Sequence, residues 1–151
     1  MSDLEFIPWI PAHCRRIDIQ AAQALDMELI GGADVSRFAD PSFAWSAISR
    51  SENKVLGCGA ISKFWQGRGL CWALVGVDVP TSDWLGITRF VRSTLDRAQA
   101  PGGYIRLESH VAASFWPGHK WMELLGFDIE APCEAWGPDG SDFIQYKRVR
   151  R

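Results

Sequence analysis

Neither a basic-then-apolar leader nor an uninterrupted apolar run of membrane-spanning length occurs in this chain, so export and membrane insertion are not expected and a cytoplasmic location is. The four cysteines, Cys14, Cys58, Cys71 and Cys133, lack the two-residue spacing that sets a pair of thiolates on one metal. Free thiols packed as small core residues are expected instead, and no metal site. A net charge of −2 leaves no global positive field to attract nucleic acid or an anionic membrane. The tail Lys147-Arg148-Val149-Arg150-Arg151 is locally basic, but so short a terminal run reads as solvated. Repeats, low-complexity tracts and linkers are absent.

What is present is apolar and aromatic. A length of 151 residues with 47% hydrophobic content suits one domain, 1–151, around one continuous core. Eight tryptophans are spread along the chain rather than gathered in a local motif. They read either as core and hairpin packing or as the walls of a ligand cleft or oligomer interface.

Hydrophobic periodicity orders the elements. Leu4 to Trp9 alternates as a strand, and Pro8 makes it an edge or a strand end. Ile17, Ala21, Ala24, Leu25 and Leu29 recur at helical spacing and predict an amphipathic helix over 12–30, followed by a short second helix around Val35 to Phe38. Three strands follow as an antiparallel meander: from Phe43 to Ile48, from Val55 to Trp65, and from Leu70 to Val79. A helix is predicted over 84–99, an alternating strand over 104–111, and a last helix from about Pro117. Its end, Leu124-Leu125-Gly126-Phe127, reads as a helix stopped by a left-handed glycine, and Trp136-Gly137-Pro138-Asp139-Gly140 turns the strand after it back into Phe143 to Tyr146.

This order, strand, helix, meander, helix, strand, helix and strand pair, resembles the GNAT superfamily of N-acetyltransferases over almost the whole chain. The resemblance implies a single α/β (α+β) domain with a mixed central sheet of about seven strands flanked by about four helices. It is supported by Pro80 at the end of the fourth strand, by Gly86 six residues on, and by the Leu125-Gly126-Phe127 ending. A looser similarity is to compact GNAT-like proteins of tailed bacteriophages, which close with a comparable Gly-Pro-Asp-Gly hairpin.

The resemblance implies acetyl-CoA as cofactor, held along Val75, Val77 and Val79 and at the helix start formed by Asp83, Trp84, Leu85, Gly86, Ile87, Thr88 and Arg89. Backbone N–H groups at such a start suit a pyrophosphate. The chain departs from the family pattern there. Asp83 replaces a basic or glutamine residue, Trp84 a smaller one and Thr88 a second glycine. Asp83 is the expected helix N-cap, and its carboxylate would oppose a phosphate. Met122 stands five residues before Phe127, where many members carry a tyrosine that protonates the departing thiolate, and the asparagine usual near 112–117 is missing.

Candidate replacements lie on the fifth strand. Glu108 and His110 share one face near the acceptor cleft the resemblance implies and are the expected catalytic pair; the other reading is a solvated strand face paired with Arg106. His119 is a further candidate, or simply a helix-surface imidazole. Arg89 and Arg92 suit phosphate oxygens or a soluble helix face equally. Two functions follow: N-acyl transfer to a small-molecule or protein amine, or a catalytically inactive structural, virion-associated or homo-oligomeric interaction protein.

Overall fold

A computed structural model describes residues 3–19, 23 and 35–151. Seven strands form one mixed sheet: β1 (Leu4–Pro8), β2 (Trp45–Ser49), β3 (Lys54–Trp65), β4 (Arg68–Val75), β5 (Arg106–Ala112), β6 (Asp128–Cys133) and β7 (Phe143–Val149). Their spatial order is β1-β2-β3-β4-β5-β7-β6, and every neighbouring pair is antiparallel except β4 with β5. The proline-ended β1 takes the edge, where a missing N–H is tolerated. Two α-helices, α1 (Thr81–Ala98) and α2 (Trp116–Leu124), and three short 3-10 segments complete the described residues.

Both α-helices lie on one face. Ile87, Val91, Leu95 and Ala98 of α1 follow the predicted stripe and join Trp121, Met122 and Leu125 in the larger core, against Ala47, Ile61, Val75 and Leu107 of the sheet. The opposite face carries a smaller core in which Cys14, Ile17, Ile48, Val55, Cys58 and Leu74 meet. Alternation along the strands divides the residues between these cores.

The predicted helix from residue 12 is corrected where it can be followed, its remainder at 20–22 and 24–34 lying outside the described residues. Pro11–Arg16 is a 3-10 turn, and Ile17 is already extended at φ −92°, ψ 131°. Asp18 C=O then accepts from Val77 N–H (2.8 Å) and Ile19 bridges Gly76. Pairing with the end of β4 outcompetes the local helical periodicity because the same turn buries Cys14 and Ile17.

The Gly126 ending forms as the sequence demands. Gly126 has φ +85°, its N–H donates to Glu123 C=O (3.0 Å), and Phe127 N–H donates to Met122 C=O (3.0 Å). This is a complete Schellman closure, and it delivers Phe127 into the core. The start of α1 differs from expectation: Pro80 is the cap residue and Asp83 sits within the first turn rather than at the N-cap, the helix beginning three residues early at Thr81, directly after the proline with its fixed φ.

Candidate functional site

The parallel pair β4–β5 is the break in the sheet. Its ladder runs only from Arg68 opposite Arg106 to Leu70 opposite Glu108, although β4 continues to Val75 and β5 to Ala112. Beyond Leu70 the strands part. At the first position past the ladder the Ser109 hydroxyl reaches across to Cys71 C=O (3.1 Å), a side-chain bond in place of a backbone one. A cavity of about 230 Å³ opens in the gap. Its described lining comes from both faces of the sheet: Val91, Leu95 and Met122 from the helical side, Trp72, His110 and Trp136 from the other.

Glu108 closes the narrow end of the gap. Arg68 donates to it through Nε and Nη2 (both 3.0 Å), and Arg106 Nε donates to the same carboxylate (2.9 Å). Glu108 is 4% exposed, so the ion pairs compensate a charge that has lost most of its water. Arg106 also pairs with Glu130 on β6, and the Arg68 guanidinium lies over the rings of Phe64 and Trp65 (5.0 and 4.5 Å). The carboxylate is thus held at the last paired position, where it fixes the point of divergence.

His110, two residues on and on the same face, lines the cavity. Trp136, from the loop between β6 and β7, stacks on its ring at 4.3 Å and 10°. Nδ1 is buried and has no hydrogen-bond partner among the described residues. Burial pushes its pKa below the usual value, opposed by the nearby Gln145 side chain and the Glu108 charge. A neutral ring with a free nitrogen in a gap between strands is a proton acceptor in waiting.

From this gap a cleft of about 380 Å³ runs past the end of β4 to the start of α1, sharing Gln23, Phe115, Gly118 and Trp121 with the inner cavity. Val75, Val77, Val79 and Trp84 line it, as does Lys120. The six other residues expected at a cofactor site do not line it. Asp83 stands half-buried in the first turn of α1; Leu85 and Arg89 face solvent. Ile87 is fully buried in the core, and a Cβ on Gly86 would meet Leu4 Cδ2 at 2.7 Å, so this glycine admits the edge strand. Thr88 accepts from Trp121 Nε1 (3.0 Å) and donates to Trp84 C=O (2.9 Å), tying both tryptophans of the cleft together.

Gln23 carries no sequence signal for such a position, yet its carboxamide satisfies the edge of β4 that β5 has left. Its Nε2 donates to Ala73 C=O (3.2 Å) and its Oε1 accepts from Val75 N–H (3.0 Å). The spacing of two puts both backbone groups on the side turned away from β3. A second amide could replace the first there without loss of hydrogen bonds.

Other candidates fall outside the gap. Both nitrogens of His119 are engaged, by Tyr146 Oη (2.7 Å) and Ala113 C=O (3.0 Å), and it lines neither cavity. Arg92 donates to Leu124 C=O (2.8 Å) and so ties α1 to the end of α2. Met122 is buried and lines the inner cavity with a thioether. Burial pushes the Cys71 thiol up to about 12, so it stays protonated and is no nucleophile at neutral pH. Among the described residues no group of three metal-ligating side chains occurs, and no helix is long and apolar enough to cross a membrane.

A pH dependence of stability follows. Burial lowers the pKa of both His110 and His13, whose Nδ1 accepts from Ile10 N–H (3.3 Å). Well above about pH 6.5 both imidazoles are neutral in the folded and unfolded chain alike and stability is at its full value. Below it the unfolded chain binds protons first, so stability falls as pH falls toward the folded-state values. Urea midpoints should decline between pH 7.5 and 5.5; a flat profile would mean that both rings titrate as in water.

No family model and no curated protein matches this sequence. Solved structures do match. Ard1 from Thermoplasma volcanium has a TM-score of 0.73 at 14% identity, with 99% of each chain covered. A GNAT-family acetyltransferase from Bacillus anthracis has a TM-score of 0.67 at 11% identity, covering 97% of this chain and 94% of the other. A spermidine N-acetyltransferase mutant from Vibrio cholerae has a TM-score of 0.65 at 11% identity, again covering 97% and 94%. At such identities the likeness is one of fold: the chain has the GNAT acetyltransferase fold, with a mixed sheet parted between β4 and β5.

Proposed function

We propose that the protein is an acyl-CoA-dependent N-acyltransferase acting on a small-molecule or protein amine. The observation that carries this reading is the early end of the β4–β5 ladder, which opens a gap lined by His110 and joined to a cleft that reaches the start of α1. Acyl transfer needs such a passage, because the amine must reach the carbonyl carbon of a thioester whose CoA portion already fills the cleft. The acyltransferases among the structural neighbours, one of them a spermidine enzyme, add support for an amine acceptor.

The residues present suit acetyl-CoA in three respects. The edge of β4 at Ala73 and Val75 already takes an amide from Gln23, so a pantetheine-like amide fits the same donor and acceptor. The N–H groups in the first turn of α1 are free of helical partners and favour an anion, as Lys120 on the cleft wall does. Asp83 works against them. Bound there, the cofactor supplies an acyl group activated as a thioester. His110 Nδ1 takes the proton from the amine, and Glu108, locked between two arginines, biases the ring toward accepting it. Met122 offers no proton, so the sulfur end relies on His110 or solvent.

Titration calorimetry with acetyl-CoA tests the reading. Binding is expected, and Asp83→Arg should tighten it about tenfold at low salt, the gain shrinking in 0.5 M salt. No heat with either protein at millimolar acetyl-CoA would remove it. A second reading, a non-catalytic interaction protein or homo-oligomer, draws on Phe64 and Trp65 at the β3 end, 49% and 59% exposed and gathered by Arg68. Light scattering of the purified protein would have to show an assembly.

A further inference from the structure

We infer that the acyl group this protein handles is apolar and larger than acetyl, its chain filling the helical half of a cavity that as a whole exceeds the roughly 150 Å³ apolar cavity that takes up benzene. The inference rests on the acyltransferase reading and concerns the inner cavity of about 230 Å³. Folded interiors keep few voids larger than a water molecule, because unfilled space forfeits contacts on every wall. An acetyl group would leave the deep, helical half of this space largely empty.

The two halves of the cavity differ in chemistry. On the helical side lie Val91, Leu95, Met122, Leu125 and Phe127, with the Thr94 and Ser109 hydroxyls already donating to Phe90 C=O (2.9 Å) and Cys71 C=O (3.1 Å). That half suits hydrocarbon and has no group to receive an amine. The unpaired Nδ1 of His110 lies on the other side of the sheet, with Trp136 over its ring. An amine is therefore expected at the His110 side and the acyl chain at the deep side, with the reacting carbon in the gap between β4 and β5.

The cleft and the inner cavity meet at shared walls. Phe115, Gly118 and Trp121 belong to both linings, and a Cβ on Gly118 would come within 2.7 Å of Phe115 Cδ2 and Val111 Cγ1. Glycine at this position lets Phe115 and Val111 pack directly against the α2 backbone where the two linings meet. A thioester lying along the end of β4 would feed its chain through that junction into the core.

Calorimetry on the full chain with CoA, acetyl-CoA, hexanoyl-CoA and octanoyl-CoA tests this. Octanoyl-CoA is expected to bind at least tenfold more tightly than acetyl-CoA, with hexanoyl-CoA between them. Val91→Phe, which places a ring in the deep half, should bring octanoyl-CoA down to the affinity of acetyl-CoA; if that variant does not fold, the wild-type series decides alone. Equal affinities along the series, or tighter acetyl-CoA, would overturn the inference and leave the transferase reading standing. Failure of CoA and all its thioesters to bind would overturn both.

Discussion

Replacing His110 with glutamine is expected to lower kcat for amine acylation about 10²-fold, the lower end of what a positioned general base contributes. The ring is neutral near pH 7, burial holding its pKa below the ordinary histidine value, and Nδ1 is buried with no hydrogen-bond partner among the described residues. The wild-type rate should fall as pH drops through a midpoint below the ordinary histidine value, and His110→Gln should lose that limb. Trp136→Ala offers an independent check. Uncovering the ring reduces the desolvation that lowers the pKa, so the midpoint should move upward while the acid limb persists. Retention of kcat within threefold in His110→Gln, with thermal midpoints alike, would exclude the imidazole from the chemistry.

Glu108→Leu is expected to destabilise the fold by about 2–3 kcal/mol, below the full cost of stranding a buried charge because the partner guanidiniums keep some water. Arg68 and Arg106 side chains are 33% and 29% exposed, against 5% for Glu108. Without the carboxylate, Arg106 still has Glu130, whereas Arg68 is left on the faces of Phe64 and Trp65. Glu108→Gln keeps the volume and one acceptor and should cost about half as much. Urea unfolding reads both, and a second effect separates this pair from an ordinary surface pair. Because Glu108 marks the last rung before the strands part, its loss should weaken acetyl-CoA binding as well as stability. A shift in the urea midpoint smaller than that of an exposed pair such as Arg50–Glu5 would show that the network contributes little.

The strands, α1, α2 and the glycine stop at 126 were legible because each depends on neighbours a few residues apart. The segment from residue 12 was misread for the converse reason: its bonds go to the end of β4, some 60 residues away, and periodicity does not register them. The two histidines make the same point at the level of chemistry. In the sequence His110 and His119 carry equal weight as lone imidazoles. In the fold one has a buried free nitrogen in the gap, and the other spends both nitrogens fastening α2 to β7. Gln23 had no distinguishing neighbourhood at all, since its partners are backbone groups exposed only because another strand has turned away.

The sequence by itself determined an αβ chain with an antiparallel meander, a closing hairpin, and Asp83 at the position where the resemblance calls for a basic or glutamine residue. Those features are set by local spacing, capping and turn chemistry, which act over a few residues. Only the tertiary structure decided that β4 and β5 separate after three rungs, that Trp136 from the final hairpin covers His110, and that a cavity crosses the sheet between them. The physical reason is that each involves surfaces brought together by long loops, where packing rather than propensity chooses the partner.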